Sequence, residues 1–247
     1  MTAPPTRRSF LQTGIGLSGV AVAATAVGGC GSSRGRGSPA AAASTTTVPV
    51  GDGDQALRRL MEGNARFARG TTQNPRRDDR RRAEQADGQT PFAIIVGCSD
   101  SRVPPELIFD QGIGDLFLVR VAGNTASVPL VIGSIEYAAV TFGCPLLMVL
   151  GHDDCGAVKA AIDTVKKGSS PPGQIGSVVQ PILPAVDKVK SEPADTLLQA
   201  AVRQNARDTA TKLQTVDSLL TERVTTGKLK LVAAEYLLHS GTVEVLT

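Results

Sequence analysis

The hydrophobic pattern of the chain changes at about residue 51. Beyond that point, short apolar runs alternate with longer stretches in which apolar residues recur at helical spacing. The runs predict strands at 92–96, 116–121, 146–150, 229–233 and 242–246. The periodic stretches predict helices at 52–69, 104–109, 128–142, 157–167 and 196–223. This alternation predicts a single α/β domain over residues 51–247, in which helices flank a mainly parallel β-sheet.

Residues 1–50 have the features of a targeting segment. Arg7 and Arg8 precede an apolar stretch that is too short to span a bilayer, which predicts a signal peptide over residues 1–29. The string Arg-Arg-Ser-Phe-Leu resembles the twin-arginine export signal. The sequence Val-Gly-Gly-Cys ending at Cys30 resembles a bacterial lipobox, so we expect a lipid on Cys30 and a flexible tether over residues 30–50. The alternatives are a basic disordered N-terminus, or ordinary cleavage near Cys30 without lipid.

If both signals act, the protein is exported to the outer face of the cytoplasmic membrane or the extracytoplasmic space. Its membrane contact would then be through the lipid anchor only.

Charge and composition exclude one class of partner. The chain has 26 Lys and Arg against 23 Asp and Glu, but four of the basic residues precede residue 51, so the predicted domain is nearly neutral. Tryptophan is absent and aromatic residues make up 3% of the chain. Both observations argue against binding to nucleic acid. The basic run at 76–82 contains two aspartates, which favours a solvated helical face over a nucleic-acid patch.

Two predicted strands lead directly into side chains that bind metals. Cys98 follows the first strand, and His152 and Cys155 follow the third. Because the carboxyl ends of parallel strands meet at one edge of a sheet, we expect these three side chains to converge. Two thiolates and an imidazole favour zinc, with room for a fourth ligand. The alternatives are a small core cysteine and a hydrogen-bonded polar histidine.

Asp100 and Arg102 add a charged pair beside this predicted site. Their spacing allows both side chains to face one side of an extended turn, where a guanidinium can hold a carboxylate in a bidentate geometry. Asp100 could then take the fourth zinc position, or be held away from it by Arg102. The alternative is a surface ion pair that contributes little.

The strings Cys-Ser-Asp-Ser-Arg and Gly-His-x-x-Cys-Gly together resemble those of the β-class carbonic anhydrases, and the resemblance extends from about residue 63 to residue 241. It implies a β-carbonic anhydrase-like fold with one zinc ion per chain, held by Cys98, His152 and Cys155. Asp100 would be the switchable fourth ligand and Arg102 its partner in a catalytic pair.

The resemblance also implies a substrate pocket. Gln89 falls at the position that binds bicarbonate in one subgroup, Phe117 and Tyr137 match its apolar pocket, and the Gly156 amide matches a further substrate contact. In that subgroup a neighbouring subunit completes the pocket, so the resemblance implies a homodimer or homotetramer.

The expected function is therefore the reversible hydration of carbon dioxide to bicarbonate and a proton by attack of a zinc-bound hydroxide. Zinc lowers the pKa of bound water to about 7 in three-histidine carbonic anhydrases of another class. Two alternatives remain: a hydrolase of carbon disulfide or carbonyl sulfide on the same site, and a noncatalytic surface lipoprotein with structural zinc. Cys144 is expected to be a buried free thiol, with a redox role as the alternative.

Overall fold

The computed structural model of the protein describes residues 50–169 and 171–246. The predicted signal peptide, Cys30 and nearly all of the predicted tether therefore lie outside the described residues. Within that range, no helix is both long and apolar enough to cross a bilayer.

Five strands form one sheet with the spatial order β2-β1-β3-β4-β5. Their bounds are β1 Ala93–Gly97, β2 Leu116–Arg120, β3 Leu146–His152, β4 Lys230–Tyr236 and β5 Val243–Leu246. The first four strands are parallel, and β5 runs antiparallel to β4. Every residue of the two central strands β1 and β3 is buried, as is typical of a sheet that is covered on both faces. The mainly parallel sheet predicted from the sequence is confirmed.

Among the described residues, two helices precede β1, and the others connect the strands from β1 to β4. Their bounds are α1 Gly53–Ala68, α2 Asp79–Glu84, α3 Pro105–Ile108, α4 Pro129–Thr141, α5 Gly156–Lys167, α6 Ile175–Val179, α7 Leu183–Val189, α8 Leu197–Thr215 and α9 Ser218–Thr225. Short 3-10 turns lie at Ala122–Asn124 and Gln180–Ile182.

The core has two halves, one on each face of the sheet, because successive strand side chains point to opposite faces. Along β1, Ile95 belongs to the half that contains residues of α1, α5 and α7. Ile94 and Val96 belong to the half that contains residues of α4 and α9.

Helix α1 is fixed at its start and along its length. The Asp52 carboxylate accepts a hydrogen bond from the Gln55 amide at 2.8 Å and caps the first turn. The buried Asn64 side chain donates to the carbonyl of Gly241 at 2.8 Å and accepts from the Val243 amide at 2.8 Å. These bonds hold α1 against the start of β5.

Two helical predictions need correction. The predicted helix at 196–223 is two helices, because Asp217 adopts an extended conformation and its carboxylate caps α9 by accepting from the Leu220 amide at 3.0 Å. Helices α6 and α7 were not predicted, since proline interrupts the apolar pattern in this part of the chain.

The prediction of a solvated face over residues 76–82 is also wrong in part. Arg82 is exposed, but the side chains of Arg76 and Arg81 are only 14% and 15% exposed. Both of these arginines form ion pairs with Asp115, which directly precedes β2.

Candidate metal centre and active site

The predicted convergence of Cys98, His152 and Cys155 is confirmed. Cys98 follows β1, His152 ends β3, and Cys155 directly precedes α5. One donor atom from each side chain lies within 4.8 Å of the other two, and all three residues are buried. The carboxyl ends of two neighbouring parallel strands thus supply a three-ligand cluster.

His152 has the geometry of a metal ligand. Its Nδ1 lies 2.7 Å from the carbonyl oxygen of Asp153, so a proton on Nδ1 donates to that carbonyl and leaves a lone pair on Nε2. The Nε2 atom is buried and has no hydrogen-bond partner among the described residues. Such an isolated buried nitrogen is costly unless a metal or another group binds it.

The two cysteines form a strongly coupled pair. Hydrogen bonding from the Cys155 thiol, together with that from the Gly123 amide, lowers the pKa of Cys98 to about 4. The Gly123 nitrogen lies 3.3 Å from the Cys98 sulfur. The pKa of Cys155 is raised, because its proton is shared with Cys98 and because it is buried. A thiolate beside a second thiol and a free imidazole nitrogen fits zinc, which binds sulfur and nitrogen ligands.

Asp100 and Arg102 form the predicted bidentate pair. Arg102 Nε lies 3.0 Å from Asp100 Oδ1 and Arg102 Nη2 lies 2.8 Å from Oδ2. The backbone amide of Arg102 donates to Oδ1 at 2.9 Å. The hydrogen bonds from Arg102 lower the pKa of Asp100 to about 2. The carboxylate lies 3.9 Å from His152 Nε2 but is not part of the three-ligand cluster. It is therefore beside the metal position and is held there by Arg102.

Two further charged residues support this pair and were not identified from the sequence. Arg120 donates to the carbonyl oxygens of Cys98 at 2.9 Å and Asp100 at 2.6 Å, which fixes the loop that follows β1. Asp154 accepts from Arg102 Nη1 at 3.3 Å and pairs with Lys159. Arg120 could have been identified from the sequence, because it is a charged residue at the end of an otherwise apolar predicted strand.

The Gly123 amide depends on a close packing arrangement. Gly123 has φ of 77°, and a Cβ atom there would lie 2.6 Å from Ile182 Cδ1. The side-chain amide of Asn205, on α8, donates to the Gly123 carbonyl at 2.8 Å. These contacts aim the Gly123 amide at Cys98, and the long separation in sequence hides them from pattern analysis.

The predicted substrate residues occupy different parts of the chain. Gly156 directly follows Cys155 and starts α5, and the space where a side chain would lie is open. Phe117 and Tyr137 contact each other with ring centroids 6.3 Å apart. However, Phe117 pairs in register with Ile94, roughly 13 Å along β1 from Cys98.

Gln89 is exposed and precedes β1. Within one chain, Gln89, Phe117 and Tyr137 therefore lie toward the amino ends of the strands, away from the three-ligand cluster. Their role in substrate binding stays a prediction that requires a second subunit.

Comparison with known proteins assigns this site to a family. The family model described as "Carbonic anhydrase" matches residues 93–243, which include all three residues of the cluster. The chain belongs to the carbonic anhydrase family. It is 41% identical to carbonic anhydrase 2 of Mycobacterium tuberculosis over 186 residues, covering 75% of this chain and 89% of the relative.

Other members support the same assignment. The chain is 36% identical to a carbonic anhydrase of Mycolicibacterium smegmatis over 190 residues, covering 77% of this chain and 91% of the relative. It is also similar to the solved β-carbonic anhydrase CcaA, with a TM-score of 0.61 and 29% identity over 78% of this chain and 95% of that one. The resemblance to the β class inferred from the sequence is confirmed.

Proposed function

We propose that the protein catalyses the zinc-dependent, reversible hydration of carbon dioxide to bicarbonate and a proton. The observation that carries this proposal is the bidentate Asp100–Arg102 pair beside the unpartnered Nε2 of His152. A purely structural zinc site needs ligands but no oriented carboxylate next to them. The arrangement instead suits a metal site with one position left for chemistry.

Cys98, His152 and Cys155 would hold the zinc ion. When bound there, zinc supplies a Lewis-acidic centre that makes water a nucleophile near neutral pH, as in the three-histidine carbonic anhydrases. Asp100 accepts a hydrogen bond from the reacting water and so fixes its orientation. Because its pKa is about 2, Asp100 stays an ionised acceptor at neutral pH. Arg102 positions Asp100 and would keep its carboxylate off a bound metal.

The substrate pocket is proposed to lie between two subunits of a homodimer, or of a homotetramer built from such dimers. Helix α4 supports this arrangement, since Leu130 is 82%, Tyr137 54% and Val140 51% exposed. A second copy packed on this face would cover these apolar side chains and bring Phe117, Tyr137 and Gln89 toward its own metal cluster. The Gly156 amide would complete the pocket from within the same chain as the metal.

Export by the twin-arginine route and lipidation of Cys30 are proposed from the sequence of residues 1–30 alone. A twin-arginine signal is a receptor-read address, and a lipid on Cys30 would be the membrane anchor. The site would then work outside the cytoplasm.

A stopped-flow hydration assay tests the proposed activity. The zinc-loaded protein should hydrate carbon dioxide, and Asp100→Ala should lower the rate about 100-fold or more, because a positioned acceptor is lost. Hydrolysis of carbonyl sulfide without hydration of carbon dioxide would reassign the substrate. No turnover of either substrate would leave zinc with a structural role.

A further inference from the structure

A cavity of about 370 Å³ lies at the edge of the sheet opposite the metal cluster. Phe92, Asp115 and Pro145 line it, and these residues directly precede β1, β2 and β3. Phe92 lies six residues before Cys98 along β1, a distance of roughly 20 Å. The cavity is therefore separate from the metal cluster of the same chain. Its remaining lining residues are Val50, Arg59, Arg81, Thr90, Pro91, Phe142 and Gly143.

Positive charge exceeds negative charge around this cavity. Arg59, Arg76 and Arg81 all converge on the carboxylate of Asp115, and their side chains are only 21%, 14% and 15% exposed. Arg76 binds both carboxylate oxygens, while Arg59 Nη2 and Arg81 Nη2 each lie 3.4 Å from Oδ1. The second carboxylate in reach belongs to Glu84, which is half-exposed and 3.8 Å from Arg81 Nη1. Three largely buried guanidinium groups thus share one buried carboxylate.

Arg59 forms the fewest hydrogen bonds of the three arginines. Its Nε donates to Gln111 Oε1 at 3.2 Å, and its guanidinium carbon lies 4.0 Å above the Phe92 ring. Its Nη2 is buried and forms no hydrogen bond among the described residues, although it lies 3.4 Å from Asp115 Oδ1. Burial lowers the pKa of Arg59 to about 10, against the opposing effect of Asp115. A buried N–H group without a well-formed hydrogen bond is costly, and an anion in the cavity would supply a further acceptor.

We propose that this cavity is a binding site for a small oxyanion, with Arg59 and Arg81 as the residues that hold it. Phosphate, sulfate and carboxylate groups share the chemistry that a guanidinium fork recognises. The cavity is large enough for such a group, and its lining residues include two arginines and Thr90. A bound anion balances the excess charge and holds α1 and α2 against the amino edge of the sheet. The arginines of this site are not among the proposed substrate residues, although Phe142, which lines the cavity, contacts Phe117 and Tyr137.

Calorimetric titration of the zinc-loaded protein with inorganic phosphate, at constant ionic strength set with chloride, tests this site. Saturable phosphate binding is expected for the wild type. Arg59→Gln removes the charge and should weaken phosphate binding about tenfold or more, the usual effect of losing one charged hydrogen bond. Arg58→Gln is the matched control, because it makes the same change at an exposed position on the same helix. It should bind phosphate like the wild type.

A second variant keeps the test decisive if Arg59→Gln fails to fold. Arg81 lies on α2, which buries none of its residues in the core, so Arg81→Gln should fold and also lose phosphate affinity. Parallel titrations with sulfate and acetate distinguish a tetrahedral anion from a carboxylate as the preferred ligand. Absence of binding beyond the chloride background for all three anions would overturn the proposal. Equal affinity in the wild type, Arg59→Gln and Arg81→Gln would overturn it as well.

Discussion

Replacing Arg102 with alanine removes the side chain that holds Asp100 beside the metal position. Two of the three hydrogen bonds to the carboxylate come from the guanidinium, and the backbone amide of residue 102 supplies the third. Without the guanidinium, the pKa of Asp100 should rise from about 2 toward its usual value of about 3.9. Both values lie well below neutral pH, so Asp100 stays ionised in the variant.

The expected defect is therefore one of position. The released carboxylate lies 3.9 Å from His152 Nε2 and is free to turn toward the metal. We expect the rate of carbon dioxide hydration to fall about 100-fold or more, the usual cost of losing one positioned group. Asp100 itself does not titrate between about pH 6 and 9, so the defect does not come from its loss of charge in that range.

Stopped-flow hydration rates, with zinc measured by elemental analysis, test this prediction. Arg102→Ala should keep one zinc per chain and stay folded, since exposed ion pairs contribute little to stability. Arg82→Ala is the matched control, because it breaks an exposed pair with Asp79 on a short helix remote in sequence. A wild-type rate in Arg102→Ala at every pH between about 6 and 9 would refute the reasoning.

Three further predictions concern stability and targeting. Asp110 is buried and its pKa is lowered because hydrogen bonds from backbone amides and Arg66 outweigh its burial. Asp110→Asn should therefore lower the free energy of unfolding, measured in urea at pH 7, by about 2 kcal/mol relative to the wild type. This difference should shrink below about pH 4, where the carboxyl group is protonated in the unfolded chain. A difference that stays constant with pH would contradict the prediction. Gly63→Ala places Cβ 1.8 Å from the Phe109 carbonyl oxygen, so the melting temperature should fall, and an unchanged value would show that α1 is packed differently. Replacing Arg7-Arg8 with Lys-Lys should retain the precursor in the cytoplasm and Cys30→Ala should release soluble protein, whereas unchanged fractionation of both would contradict the targeting proposal.

The sheet was predictable because its central strands are buried on both faces and therefore appear as uninterrupted apolar runs. The region between α5 and α8 was not, since proline-containing turns conceal its helical periodicity. The break between α8 and α9 depends on one aspartate that caps a helix start, and such a residue is also common on an exposed helical face. Local pattern alone does not separate these two roles.

The metal cluster was predictable because strand ends in a parallel sheet share an edge, and the Asp100–Arg102 pair because its members are close in sequence. The contacts made by Arg120 and Asn205 were not, since each bridges elements that are far apart in the chain. The burial of Arg81 was missed for the same reason. Its partner Asp115 lies at the start of β2, and a charge run alone does not reveal a distant carboxylate.

The central claim is that Cys98, His152 and Cys155 hold the zinc ion on which hydration depends. The most direct measurement compares zinc content and hydration rate in Cys155→Ser and Cys144→Ser. Both cysteines are buried, but the Cys144 thiol donates to the Pro91 carbonyl at 3.1 Å, and burial raises its pKa to about 12, which disfavours the thiolate. Cys155→Ser should lose both zinc and activity, while Cys144→Ser should keep one zinc per chain and hydrate carbon dioxide. Full zinc occupancy and activity in Cys155→Ser would contradict the account.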